Sequence, residues 1–179
     1  MTMEKRAAAE LRAEGRRLSG YAAIFNTETR IADFTETIRP GAFAATLAAG
    51  GDILALVDHD RSLVLARTKT GTLRLSEDAR GLRFDIDVPD TSAGRDVLAL
   101  AARGDLGGMS FGFSVEPAGE AWSGDRRELR AVTLHEISVV NAWPAYPETS
   151  VQARSRQSRT AADRRIALLN MEAGNVALH

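Results

Sequence analysis

Cysteine is absent from the 179 residues, which excludes disulfides, thiol catalysis and cysteine-ligated zinc or iron–sulfur sites. Histidine is nearly absent too, at three, which leaves little material for a metal cage, so neither a cofactor nor a metal is expected. Lysine occurs only as Lys5 and Lys69, and positive charge rests almost wholly on arginine; with abundant alanine this reads as the mark of a GC-rich genome rather than of a function. Neither sign of charge dominates. The net charge of −1 exerts no global pull toward nucleic acid or an anionic membrane, so any partner is recognised locally. Long apolar runs are missing as well: Ile53-Leu54-Ala55-Leu56-Val57 falls far short of the roughly 20 residues that span a bilayer. The opening Met-Thr-Met-Glu-Lys-Arg lacks a signal-peptide core, and the expectation is a soluble, unexported protein.

What is present is an ordinary globular composition, 44% hydrophobic and 26% charged. The length suits one domain of roughly 100–150 residues with a real core. Residues 1–17 are polar and mixed in charge and read as an extension, a short helix or a disordered lead-in; the domain is expected over 18–151, followed by an arginine-rich tail over 152–179. There is no internal repeat. Leu18 to Phe25 reads as a strand, and Pro40 to Leu47 as a short helix with proline in its first turn. Ile53 to Val57 reads as a buried strand that delivers Asp58-His59-Asp60-Arg61 at its end. Thr72 to Ser76 and Leu82 to Val88 alternate across a turn and predict an antiparallel hairpin. Thr91-Ser92 caps a helix carrying Val97, Leu98, Leu100 and Ala101 and stopped by Gly104.

Gly107 to Val115 reads as a strand with Phe111, Phe113 and Val115 on one face and Ser110, Gly112 and Ser114 on the other. Glu128 to Val140 reads as one long strand. Strict alternation places Val132, Leu134, Glu136, Ser138 and Val140 on one side, so that Glu136 interrupts an apolar face, and His135 on the opposite side. Asn141 to Pro147 then closes the domain in a proline-rich turn.

Gly108-Met109-Ser110-Phe111-Gly112 matches the G-x-S-x-G nucleophile elbow, but that motif needs a strand before the serine and a helix after it, and here the order is reversed. His135-Glu136 begins an H-E-x-x-H pattern whose second histidine position holds Val139, which excludes a zincin. His59 and His135 remain as acid–base candidates. A serine attacks a carbonyl only if a base takes its proton and a third group holds that base in the right tautomer. Ser110, His59 and Glu136 can fill these roles. Each also has a bland alternative: a small residue at a strand start, a loop histidine between aspartates, and a strand salt bridge.

Six pieces in order decide the matter differently: Gly20-Tyr21-Ala22 with Phe25, Ile38 to Phe43, Asp58-His59-Asp60, Gly108 to Phe113, Leu134 to Val140 and Pro144-Ala145-Tyr146-Pro147. Over about residues 18–151 the chain resembles the prohead maturation proteases of tailed bacteriophages, relatives of herpesvirus assemblins. The resemblance implies an α+β fold, a mostly antiparallel β-barrel core with flanking helices. It implies Ser110 as nucleophile and His59 as general base, and Glu136 as the third member, with His135 as the alternative. By the same analogy, backbone amides around Asn141 to Trp143 form the oxyanion hole. Trp143, Tyr146, Phe111 and Phe113 read as core residues rather than substrate contacts.

The expected activity is that of a serine endopeptidase cutting scaffold, or the scaffold-like segment of the major capsid protein, with self-cleavage. It would act in the bacterial cytoplasm, inside the assembling prohead of a phage, prophage or phage-derived particle. The resemblance to assemblins points to a homodimer; nucleic acid and membrane are not expected partners. The tail reads either as a solvated extension or as a targeting or self-cleaved segment. Two rivals stand beside this reading: a catalytically silent protease-fold assembly module, and a small-molecule esterase.

Overall fold

The structure is a computed structural model and describes residues 3–8 and 10–141. In chain order the strands are β1 (Glu4–Ala8), β2 (Glu10–Glu14), β3 (Arg17–Ile24), β4 (Thr29–Ile31), β5 (Phe34–Ile38), β6 (Leu54–Val57), β7 (Asp60–Arg67), β8 (Leu73–Glu77) and β9 (Gly81–Asp87), then β10 (Gly108–Ser114), β11 (Glu120–Ser123), β12 (Arg126–Leu129) and β13 (Thr133–Val140). Among the described residues two α-helices interrupt them, α1 (Ala44–Ala48) between β5 and β6, and α2 (Ser92–Arg103) between β9 and β10.

The strands form three sheets, ordered β1-β10-β13-β6-β7, β11-β12-β5-β4 and β2-β3-β9-β8. The expected barrel is therefore overturned. A barrel pairs its first strand with its last, whereas each of these sheets stays open, and the helices are only 5 and 12 residues long. The pairing is also mixed, because β13 runs parallel to β6 and β12 parallel to β5. The fold is α+β with open sheets.

Local signals account for several elements. The β8–β9 hairpin is antiparallel as its alternation predicts. Helix α2 starts where the Thr91 side chain accepts a hydrogen bond from the Gly94 amide, 3.2 Å, and ends at Gly104. Helix α1 is shorter than predicted: Phe43 is its N-cap, so Pro40 lies ahead of the first turn.

Residues in the first 17 form β1 and β2 rather than a helix or a disordered lead-in. Strand β1 is held by its antiparallel ladder with β10 and by a largely buried charge network. Arg6 donates to both Glu36 oxygens at 2.5 and 2.8 Å and to Glu4 at 2.8 Å; Arg127 donates to Glu4 at 2.5 and 2.8 Å, to Glu36 at 3.0 Å and to Glu120 at 2.5 Å. These groups belong to β1, β5, β11 and β12, so the network bolts one edge of the five-stranded sheet to the β11–β4 sheet. Burying charge is tolerable because every guanidinium meets carboxylates with fork geometry.

The predicted long strand over Glu128–Val140 is in fact two. The chain breaks at 130–132, where the Arg130 and Ala131 amides both donate to the Gly119 carbonyl at 2.8 and 2.9 Å and the Val132 amide donates to Ala42 at 2.8 Å. Gly119 must be glycine there, since a Cβ would stand 2.1 Å from the Ala131 oxygen. The break sends β12 to one sheet and frees β13 to run through the centre of another.

Phe111 and Phe113 enter the core as predicted, in a chain of rings that runs Phe25–Phe43–Phe111–Phe113 with centroids 6.3, 5.6 and 5.3 Å apart. Burial of each such ring contributes on the order of 2–3 kcal/mol. The proline-rich segment after Asn141, with Trp143 and Tyr146, and the tail over 152–179 lie outside the described residues.

Candidate active site

The site is assembled across the centre of the five-stranded sheet, where β10, β13 and β6 lie side by side. In the β10–β13 ladder Ser110 faces Ser138, Phe111 faces Ile137 and Gly112 faces Glu136. Directly paired residues share a face of the sheet. Phe111 and Ile137 therefore point into the core, while Ser110, Gly112, Glu136 and Ser138 share the opposite, small and polar face.

This differs from the strict alternation read from the sequence. After Gly112↔Glu136 the next pair is Phe113↔Leu134, so His135 is an extra residue on β13 and the register shifts there. An extra residue in one strand inverts the faces beyond it. Leu134 thus goes to the core face with Ile137, and Glu136 does not interrupt that face at all. His135 is not opposite Glu136 either: its Nε2 lies 2.7 Å from the Ser114 hydroxyl, on the Ser110 face of β10.

The β6–β7 hairpin brings in His59. Val57 pairs with Asp60, so Asp58 and His59 form a two-residue turn, and both take positive φ, 48° and 62°. Tight hairpin turns of this kind need two left-handed residues, and aspartate and histidine tolerate that region better than most. The turn is tied to the end of β13: the Asp58 amide donates to the Val139 carbonyl at 2.9 Å, and the Asp58 carboxylate accepts from the Asn141 amide at 2.9 Å and from its side-chain nitrogen at 2.6 Å. The Asn141 backbone N–H is thereby committed, which removes it from the expected oxyanion hole; Ala142 and Trp143 lie outside the described residues.

So placed, His59 Nδ1 lies 2.7 Å from Glu136 Oε1, with the side chains 16% and 4% exposed. The second oxygen, Oε2, accepts a 2.5 Å hydrogen bond from the Ser138 hydroxyl, whose residue is fully buried. Gly112 completes the cradle: a Cβ at that position would stand 2.3 Å from Glu136 Oε1. The carboxylate is therefore held from three directions, by an imidazole, a hydroxyl and a bare backbone. A carboxylate oxygen accepts, so the neutral imidazole in this contact has its proton on Nδ1 and its lone pair on Nε2.

Among the three residues singled out from the sequence, His59 and Glu136 are in direct contact. Ser110, 4% exposed, sits one strand away, opposite the serine that bonds Glu136. No hydrogen bond joins Ser110 to His59 among the described residues. Catalytic contacts of this kind commonly tighten only when substrate is bound. Reading the sequence overlooked Ser138, Gly112 and Asp58 as parts of the site. The Glu-x-Ser spacing held the signal for Ser138, since residues two apart on a strand share a face. Among the described residues no group of three or more His, Asp or Glu side chains is placed to hold a metal ion.

Comparison with known proteins adds one finding. No curated protein and no solved structure matches the chain. A family model described as caudovirus prohead serine protease matches residues 2–164, which takes in every strand and helix above. On that match, which spans most of its length, the chain belongs to the caudovirus prohead serine protease family.

Proposed function

We propose that the protein is an active serine endopeptidase of capsid maturation, with Ser110 as nucleophile, His59 as general base and Glu136 as the residue that orients and stabilises the imidazolium. The observation that carries this is the buried 2.7 Å contact between His59 Nδ1 and Glu136 Oε1, on the sheet face that also holds Ser110. Ser110 Oγ attacks the peptide carbonyl while His59 Nε2 takes its proton. The tetrahedral intermediate then collapses, Nε2 returns the proton to the leaving amine, and a water deacylates the serine by the same route. Glu136 holds the Nδ1–H side of the ring and stabilises the positive charge that forms on it.

The substrate class we infer is scaffold or the scaffold-like segment of the major capsid protein, cut within the assembling prohead in the bacterial cytoplasm, with self-cleavage of the protease. Family membership supports this reading. A catalytically silent assembly module is the weaker alternative. Such a chain would be expected to have lost Ser110 or His59, and both are present.

Co-expression with the neighbouring major capsid protein, wild type beside Ser110→Ala, tests the proposal by intact mass of both partners. A capsid segment lost only with the wild type is the expected result and gives the cleavage site. Identical masses in both samples, with particles assembled, leave the silent-module reading as the better account.

A further inference from the structure

The extra residue in β13 has a cause and an effect. Without it, Glu136 would share a face with Leu134, which is buried in the core, and its carboxylate would point away from His59. With it, Glu136 stands on the face of Ser110, Gly112 and Ser138. The shift is thus the step that turns a core-directed strand into a carrier of the carboxylate. At the shift itself the side chain of His135 is held by Ser114, Nε2 to Oγ 2.7 Å, and Ser114 is 2% exposed. Ser114 lies on β10, on the strand of Ser110, so the bond crosses between the two strands at the point where their ladder is interrupted.

We propose that Ser114 and His135 are a positioning pair: their hydrogen bond pins the β13 bulge and so aims Glu136 at His59. The proposal rests on the Ser110–His59–Glu136 reading above. It gives His135 a role that is neither acid–base chemistry nor simple packing. The bulge costs ladder hydrogen bonds, and a short side-chain bond between the same strands replaces part of what is lost. Among the described residues no hydrogen bond joins His135 to His59 or Ser110, and its side chain is bonded to Ser114 instead; it acts through its neighbour in the chain.

The test reads the His59–Glu136 contact directly, by the downfield ring N–H proton resonance of an imidazole bonded to a carboxylate. It compares wild type, Glu136→Gln, Ser114→Ala, His135→Ala and His135→Gln, with cleavage of co-expressed capsid protein measured in parallel. Glutamine keeps a hydrogen-bonding group at about the reach of Nε2. The wild type is expected to show the resonance and Glu136→Gln to lose it. Ser114→Ala and His135→Ala are expected to weaken or shift it and to slow cleavage by on the order of 10²-fold, the effect of about 1 Å of misplacement. His135→Gln is expected to restore both.

Once Glu136 is already glutamine, adding His135→Ala should cost little more, because the two act in series. If both Ser114→Ala and His135→Ala keep the wild-type resonance and rate, the positioning role is overturned while the triad stands. If Glu136→Gln cleaves normally and His135→Gln is as inactive as His135→Ala, His135 is itself the third member; the assignment of Glu136 then fails and the positioning role fails with it.

Discussion

Gly112 carries no side chain because the Glu136 carboxylate lies where one would go. Replacing it with alanine forces the carboxylate to move, since the new Cβ would meet Oε1 at 2.3 Å. Gly112→Ala is therefore expected to leave a folded protein, destabilised by about 1–3 kcal/mol, whose turnover falls by about 10²-fold; denaturant melts and capsid cleavage measure the two separately. Ser138→Ala acts on the other oxygen. It removes the 2.5 Å donor to Oε2 inside a buried site, and leaving that acceptor unsatisfied is expected to cost about 1–3 kcal/mol of stability. Equilibrium urea unfolding checks this. A stability equal to wild type would mean that the hydroxyl is dispensable to the cradle.

At the scale of elements, the β6–β7 turn and the β13 bulge do most to build the site, and α1 and α2 hold strands in place. The turn depends on Asp58, which both tolerates positive φ and clamps Asn141. Asp58→Gly keeps the backbone freedom but loses the clamp. It is expected to lower cleavage while changing stability little, and the loss should appear in kcat more than in KM, because His59 loses its fixed position rather than its chemistry. Helix α2 is nucleated by the Thr91 cap, and Thr91→Ala is expected to lower stability by about 1 kcal/mol, read as a shift in denaturation midpoint without loss of activity. Much at this scale was legible from the chain alone. Alternation announced the β8–β9 hairpin and the Phe111–Phe113 strand, and the cap and glycine bracketed α2. The split of β12 from β13 was not legible, because it is made by the carbonyl of Gly119 and that of Ala42, neither near the break in sequence.

For the molecule as a whole, the Arg6–Arg127 network joins two sheets through groups far apart in the chain. Burial pushes the Glu4 carboxyl upward, but the hydrogen bond and charge of Arg127, with the charge of Arg6, outweigh it and hold the pKa below its ordinary 4.5. Burial likewise works against the charge on Arg127, and Glu4, Glu36 and Glu120 more than restore it. A carboxyl depressed in the folded state contributes stability that is present above its unfolded pKa and lost as pH falls through its folded one. Acid titration is thus expected to weaken the joint between these sheets below about pH 4.5, the unfolded reference for Glu4. Glu4→Gln should flatten that part of the stability-versus-pH curve, with thermal melts across the acid range as the measurement. A curve of unchanged shape would show that the network does not couple folding to protons.

The chain alone supplied the candidate catalytic groups: a serine on the small face of an aromatic strand, a histidine in a polar turn after a buried strand, and a glutamate two residues before a serine. It also determined the elements whose signals are local, because caps, turns and period-two alternation act within a few residues. Only the tertiary structure decided which face Glu136 takes, where β1 lies, and that the sheets stay open. One extra residue in a strand leaves the pattern of that strand almost unchanged and shows only against its partner. A polar segment such as residues 4–8 looks like solvent-exposed chain until the Glu36 carboxylate, which meets Arg6, arrives from β5, 30 residues away.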